Sequence, residues 1–309
     1  MNVAILTIMN PQCGFFQYAQ DLERELGRHC GVLLTDSITQ TQGSDALVVN
    51  WHPIEVGISA GQVRKIQESG TKVVLIYHQS FEDGSNENPE LLATCDAVVA
   101  HEPGIDGTVY IPHGIPEVSD LPEPYADMVI GTAGFLSEMK RADIVVEAAH
   151  RLDGIANIVA PAHRINAHYL PRALAQWRAQ LGNRLWLETS LLPKDDVVRR
   201  LARSTVNVFW FQSMTPYDRS GQSGSVRMGL AARRPTIVST HRKFKTLFPY
   251  ENEIYVAETE DDVYRLISEI RHNIQDRKTV KIPSRVIADQ GWSVTGTMYM
   301  NLIENIVGR

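Results

Sequence analysis

Four histidines stand at or just past the ends of short apolar runs: His52 in Asn50-Trp51-His52-Pro53, His78 in Tyr77-His78-Gln79, His101 in Ala100-His101-Glu102-Pro103 and His113 in Ile111-Pro112-His113-Gly114. Imidazole can act as an acid or base near neutral pH, bond a hydroxyl, or ligate a metal. Gaps of 26, 23 and 12 residues give no local metal-ligand spacing. A second group of residues suits anions. Gly131-Thr132-Ala133-Gly134-Phe135-Leu136-Ser137 follows an apolar run, and Lys140 and Arg141 come soon after, within reach of a phosphate held at that turn. Ser223-Gly224-Ser225 falls where a helix should begin. Free N–H groups there, the helix dipole and two small hydroxyls make an anion seat. The same serines and glycine also suit plain capping. His163 and His168 read as parts of a solvated loop and helix start.

These residues need a scaffold that brings strand ends together. Short apolar runs alternate with helix-length amphipathic stretches, the pattern of parallel α/β sheets. Strands are expected at Val3–Met9, Val32–Leu34, Ala46–Asn50, Lys72–Tyr77, Ala97–Ala100 and Val109–Ile111, with a helix from about Phe15 to Arg28. Pro112, Pro116, Pro122 and Pro124 mark a connector. The rhythm then restarts with strands at Met128–Ala133, Ile158–Ala160, Leu185–Leu187, Val206–Phe211 and Thr236–Ser239, and with a helix from about Glu138 to Leu152. Helices near Val226–Ala232, at Asp261–Ile274 and at Ser293–Val307 complete it. The expected fold is α/β: two Rossmann-like domains facing a central cleft. The expected division is 1–125, 126–290 and a closing helix at 291–309. In such sheets ligands sit beyond the carboxyl ends of the strands, and often between domains.

With 309 residues and ordinary composition, 43% hydrophobic and 21% charged, a two-domain globular chain needs no disulfide or metal staples. Three cysteines, Cys13, Cys30 and Cys95, without a C-x-x-C pair argue against a disulfide framework and for a cytoplasmic location. No apolar run approaches the ~20 residues of a membrane span, and the first ten residues read as a strand and not a signal peptide. A soluble protein without integral membrane association is expected. Residues 1–125 hold 5 Lys and Arg against 17 Asp and Glu, net -12, so the remaining 25 basic and 19 acidic residues give 126–309 a net charge of +6. A basic second half attracts anions such as a nucleotide diphosphate; an acidic first half repels polyanions. Nonspecific nucleic-acid binding along the whole chain is not expected.

At four places the residues resemble those of GT-B glycosyltransferases, nearest to the family 4 retaining enzymes. They are Cys13-Gly14 through Tyr18, Ile111-Pro112-His113-Gly114-Ile115, Ile130 to Leu136 with Lys140, and Ser223 to Ala231 with Pro235. The closing helix around Trp292 is similar to one that crosses back onto the first domain in that family. The resemblance implies a nucleotide-diphosphate sugar as donor, bound by the second domain, an acceptor bound by the first, and no metal. It matches Lys140 and Ser223-Gly224-Ser225 to diphosphate contacts, and Gly134 and Phe135 lie in the same matched loop. Gly14 matches a glycine that admits the donor phosphates, and His78 a catalytic histidine that meets the transferred sugar. His52, His101 and His113 are the acceptor-side candidates.

Three positions depart from the family pattern. Its paired glutamates, eight residues apart, read here as Ser220 and Met228, and the arginine that accompanies its lysine reads as Phe135. Arg227, Arg219 or Arg141 is a candidate for the missing positive charge, and Asp218 for a carboxylate. A nucleotide-sugar epimerase on the same fold and a non-catalytic sugar-nucleotide-binding protein remain alternative expectations. The acceptor is open among a saccharide, a small molecule, a protein side chain and a modified nucleic-acid base.

Overall fold

The computed structural model describes residues 1–11, 13–51, 56–78, 88–161, 169–212 and 223–308. They fall into two compact units, one formed by Met1–Gly114 together with the chain from Trp292 onward, the other beginning at Ile115 and ending at Gly291. The chain enters the second unit earlier than the proline connector suggests. Ile115 and Val118 are the physical reason, since both are buried in the second unit's core.

The first unit carries six parallel strands: β1 (Asn2–Leu6), β2 (Gly31–Thr35), β3 (Ala46–Trp51), β4 (Lys72–Tyr77), β5 (Ala97–Ala100) and β6 (Val109–Tyr110), in the order β2-β1-β3-β4-β5-β6. A parallel sheet covered on both faces needs strands apolar throughout. Accordingly every residue of β3 is buried, and all of β4 but its first. One face packs against α1 (Gly14–Leu26), whose Tyr18, Ala19, Leu22 and Leu26 are buried there. Three further helices bear on the site or close the unit. Helix α2 (Ala60–Glu68) starts in a capping box, with Ser59 and Gln62 exchanging side-chain and backbone bonds. Helix α3 (Pro89–Thr94) has Asn88 as its cap. The last helix of the chain, Trp292–Val307, packs against α1 and adds Trp292, Tyr299 and Ile303 to the first unit's core.

The second unit has β7 (Val129–Ala133), β8 (Ile155–Val159), β9 (Leu185–Glu188), β10 (Val206–Phe209), β11 (Thr236–Ser239) and β12 (Tyr255–Ala257), in the order β12-β11-β10-β7-β8-β9, all parallel. Its helices are α4 (Asp143–Arg151), α5 (Tyr169–Leu181), α6 (Lys194–Ala202), α7 (Gly224–Ala231), α8 (Glu260–Gln275) and α9 (Arg285–Gln290), so that the closing helix Trp292–Val307 is α10. Helix α4 is shorter than the sequence predicts. A 3-10 turn at Glu138–Lys140 comes first, and Arg141 then takes a left-handed conformation (φ 37°) that no α-helix contains. Helix α7 lies close against β10, because a side chain at Gly229 would collide with the Phe209 ring. A 3-10 segment, Arg242–Tyr250, follows β11 and has no counterpart in the sequence expectation. Among the described residues, no helix is long and apolar enough to cross a membrane.

Candidate functional site

In the first unit, strand register gathers the histidines. Tyr77, the last residue of β4, pairs with Ala100, the last of β5. The residues that follow, His78 and His101, therefore emerge side by side, with ring centroids 4.9 Å apart. His113, on the segment after β6, lies 5.4 Å from His101. Tyr18 of α1 stands among all three, at 4.8, 5.4 and 4.9 Å from the His78, His101 and His113 rings. Trp292 approaches Tyr18 edge-on at 4.9 Å, and the Tyr18 and Tyr299 hydroxyls share a hydrogen bond of 2.9 Å. Burial pushes the Tyr299 phenol up from its ordinary value, so it serves as a neutral hydrogen-bonding group.

Two carbonyls assign protons to this cluster. His101 Nδ1–H donates to Ile111 O (2.8 Å). Asn50 Nδ2 donates to Phe15 O (2.7 Å) and Thr7 Oγ1 (2.9 Å), which turns Asn50 Oδ1 toward His78, and His78 Nε2–H donates to it at 2.5 Å. His78 Nδ1 faces His101 Nε2 at 3.2 Å. Both ring nitrogens of His78 are thus engaged inside the protein. His101 is buried, while His78 and His113 are half-buried. Asn50 and Tyr18, to which the sequence reading gave no role of their own, organise the cluster. His52 lies outside the described residues, as do His163, His168, Asp218, Arg219 and Ser220. Gly14 opens α1 in empty space, with nothing within 4 Å of where a Cβ would stand.

In the second unit, β7 runs into Gly134, whose φ of 123° is a conformation that side-chain-bearing residues rarely adopt. A Cβ there would lie 2.9 Å from Ser225 Cβ and 3.1 Å from Lys140 Nζ. The glycine therefore lets the β7 loop, the 3-10 turn and the start of α7 converge on one point. Phe135, next in the chain, is half-buried. Lys140 has no ion pair among the described residues. Burial, and then the charge of Lys243, bring its ammonium down to about 8. The two ammonium groups lie over the same Phe211 ring, at 5.7 Å for Lys140 and 5.2 Å for Lys243. Two cations held this close leave a region that favours an anion.

The start of α7 adds to it. A capping serine accepts a bond from the N–H two or three residues on. Ser223 makes no such bond; its hydroxyl pairs with that of Ser225 at 2.9 Å. Gly224 between them is exposed, with nothing within 4 Å of its missing Cβ. The first N–H groups of α7 thus stand beside Lys140 without a side-chain cap. A cavity of about 370 Å³ at the carboxyl ends of β10 and β11 includes Phe211, Gln212, Ser239 and His241 in its wall.

Two expected cations are committed elsewhere. Arg227 is 2% exposed and bonds Gln290 Oε1 and, at 3.2 Å, Thr246 Oγ1. It ties α7 to α9 and to the 3-10 segment, so its guanidinium braces the unit from inside. Arg141 is gripped by Asp143 (2.9 Å) and Glu260 (2.8 Å), and donates to Gln212 Oε1 (2.7 Å); these carboxylates push its guanidinium up. The second cation near Lys140 is instead Lys243. Its position four residues past β11 is the signal that could have found it. Among the described residues, no group of three or more His, Cys, Asp or Glu side chains is placed to hold a metal ion.

No protein-family model matches the chain, and no curated protein matches it in sequence. Solved structures do match its fold. HepE of Anabaena, in complex with UDP, superposes with a TM-score of 0.70 at 12% identity, over 98% of this chain and 99% of that one. A glycosyltransferase from Rickettsia africae gives 0.71 at 12% identity, over 99% and 98%. AviGT4, a glycosyltransferase involved in avilamycin A biosynthesis, gives 0.63 at 13% identity, over 100% and 98%. The fold is that of the GT-B glycosyltransferases. The GT-B likeness runs through both units, since each match spans almost the whole of both chains.

Proposed function

We propose that the chain is a glycosyltransferase that moves a sugar from a nucleotide-diphosphate sugar to an acceptor hydroxyl, with retention and without a metal. One observation carries the reading. Lys140, with no ion pair among the described residues, stands beside Gly134 and the uncapped start of α7, with a second lysine across the Phe211 ring. Charge that develops on a departing diphosphate is met there by two ammonium groups and the N–H groups at Gly224 and Ser225. Such fixed donors stabilise a transition state in which the leaving group gains charge, and need no reorganisation as it forms. On the acceptor side, His78, its ring nitrogens held by Asn50 and His101, is the residue that meets the transferred sugar. His113 joins it in receiving the acceptor.

HepE has been solved with UDP and with UDP-glucose, so uridine nucleotides are the first probes. A thermal-shift panel of UDP, GDP, ADP, TDP, CMP and their sugars names the donor base, because a ligand that binds only the folded state raises the melting temperature. Ser225→Trp, which blocks the helix start, and Lys140→Ala are expected to lose the shift. An unchanged shift in both variants sinks the donor-site assignment. Product anomers read by NMR test retention. Release of an epimerised nucleotide sugar without an acceptor would replace the transferase reading by an epimerase.

A further inference from the structure

The lysine beside Gly134 sits on a 3-10 turn of three residues, Glu138–Lys140. Such turns have poor hydrogen-bond geometry, so what flanks this one decides where Lys140 points. The next residue, Arg141, is left-handed, with φ 37° and ψ 47°. Side-chain-bearing residues enter that region at a cost and stay only where the surroundings hold them. The guanidinium supplies the hold. Nε donates to Asp143 Oδ1 and Oδ2, both at 3.0 Å. Nη2 reaches Asp143 Oδ2 at 2.9 Å and Glu260 Oε1 at 2.8 Å, and Nη1 donates to Gln212 Oε1 at 2.7 Å. All three nitrogens are used, on three separate elements: Asp143 opens α4, Glu260 opens α8, and Gln212 follows β10.

Gln212 N–H in turn donates to Met139 O at 2.8 Å, so the turn and the chain leaving β10 are bonded twice. Phe211 precedes Gln212, and the Lys140 ammonium lies over its ring at 5.7 Å. The path from Lys140 to Arg141, across to Gln212, back to Phe211 and up to Lys140 closes on itself. We propose that Arg141 is the positioning residue for Lys140: its planar fork fixes the lysine-bearing turn and the Phe211 ring to each other, and so holds the ammonium beside Gly134 and Ser225. What Lys140 then meets, the diphosphate of a nucleotide, rests on the donor-site reading; the bracing does not. A lysine at position 141 keeps the charge but brings one nitrogen to acceptors on three elements, so it cannot replace the fork.

The bonds to Asp143 and Glu260 push the Arg141 guanidinium up from its ordinary value, so the brace keeps its charge throughout the range in which Lys140 titrates. Lys140 reports on its own position. Burial, and then the Lys243 charge, bring its ammonium down from 10.5 to about 8. An ammonium that left the Phe211 ring would regain water, move away from Lys243 and titrate higher.

The test is an NMR titration of the lysine side chains in the whole protein without nucleotide, with Lys140→Met assigning the Lys140 signal. In the wild type Lys140 should titrate apart from the other lysines, at about 8. Arg141→Lys, which keeps the charge, should move it up toward its ordinary value. Gln212→Met cuts the same path from the other side while Arg141 keeps both carboxylates, and should act alike; Gln212 is exposed, so this variant decides if Arg141→Lys fails to fold. A wild-type Lys140 that titrates with the other lysines, or an unmoved titration in a folded variant, overturns the proposal. UDP affinity by calorimetry is the second readout. Arg141→Lys should weaken UDP about 3- to 30-fold in the otherwise wild-type chain, since a displaced charge loses part of its attraction. In the Lys140→Met background it should change affinity hardly at all, because a residue that acts through Lys140 has nothing left to act on. Equal weakening in both backgrounds overturns the proposal. The two readings fail separately: the expected titration without UDP binding removes the donor-site reading alone, and Lys140-dependent UDP binding with an unmoved titration removes the positioning alone.

Discussion

The strand ends of the two units differ in how far they satisfy themselves. In the first unit the histidines, Asn50, Tyr18 and Tyr299 bond one another, and each ring packs on the next. In the second, the polar groups at Gly134 converge without closing on each other: one lysine has no ion pair among the described residues, another sits across an aromatic ring, and two serines bond each other and not the helix start. Buried polar groups are normally paired, so a cluster that pairs internally is holding its own shape, and one that does not is shaped for something else. The first unit's strand ends are held by their own bonds; under the donor-site proposal a ligand would complete the second's.

This contrast can be broken at either end. Trp292→Ala removes a ring that is 1% exposed in the first unit and should cost about 3–5 kcal/mol of stability, read by denaturant unfolding. Nucleotide affinity of the remaining folded protein should not change; a parallel loss would mean the two clusters are not independent. Lys140→Met removes a cation from the second unit and should do the reverse. It should weaken a nucleoside diphosphate by about 1.5–3 kcal/mol, roughly 10- to 150-fold, by calorimetry, with stability unchanged or raised because a desolvated charge is gone.

The same lysine sets a pH dependence. Its ammonium, held at about 8 in the free protein, is fully charged only below that value. A bound diphosphate favours the charged form, so affinity should fall as pH rises through about 8. Folding stability runs oppositely. The unfolded lysine keeps its proton up to its ordinary value of 10.5, so stability rises with pH between the two values. Both slopes should vanish in Lys140→Met. The smallest effect is expected from Gly224→Ala. The added methyl meets nothing in the free protein, so stability should move by no more than about 1 kcal/mol. Weaker diphosphate binding would show that the ligand approaches this backbone; unchanged affinity would move the phosphates away from it.

What could be read from the sequence follows from how each element is stabilised. Lys72–Tyr77, Ala97–Ala100 and Thr236–Ser239 are strands over the predicted residues, because a strand buried on both faces is an unbroken apolar run. Strand β12, three residues long, and helix α9, six long, are too short to show a period. The 3-10 segment Arg242–Tyr250 mixes lysines, aromatics and Pro249, which fits neither helical nor strand patterning, and Lys243 was lost with it. The convergence of Gly134, Lys140 and Ser225 was legible because all three flank predicted element ends. The fates of Arg141 and Arg227 were not. An arginine near a phosphate-type loop looks the same in sequence whether it faces a ligand, a carboxylate or the core, and only tertiary packing decides.

The last helix has a consequence for synthesis. Trp292, Tyr299 and Ile303 belong to the core built on β1, β3 and β4, so these strands await residues synthesised after the whole of the second unit. The polypeptide from Ile115 to Gly291 is complete before then, with Ile115 N–H already bonded to Gln290 O at 2.8 Å. During synthesis the second unit is therefore complete in sequence before the first, whose core stays open until Trp292–Val307 has been made.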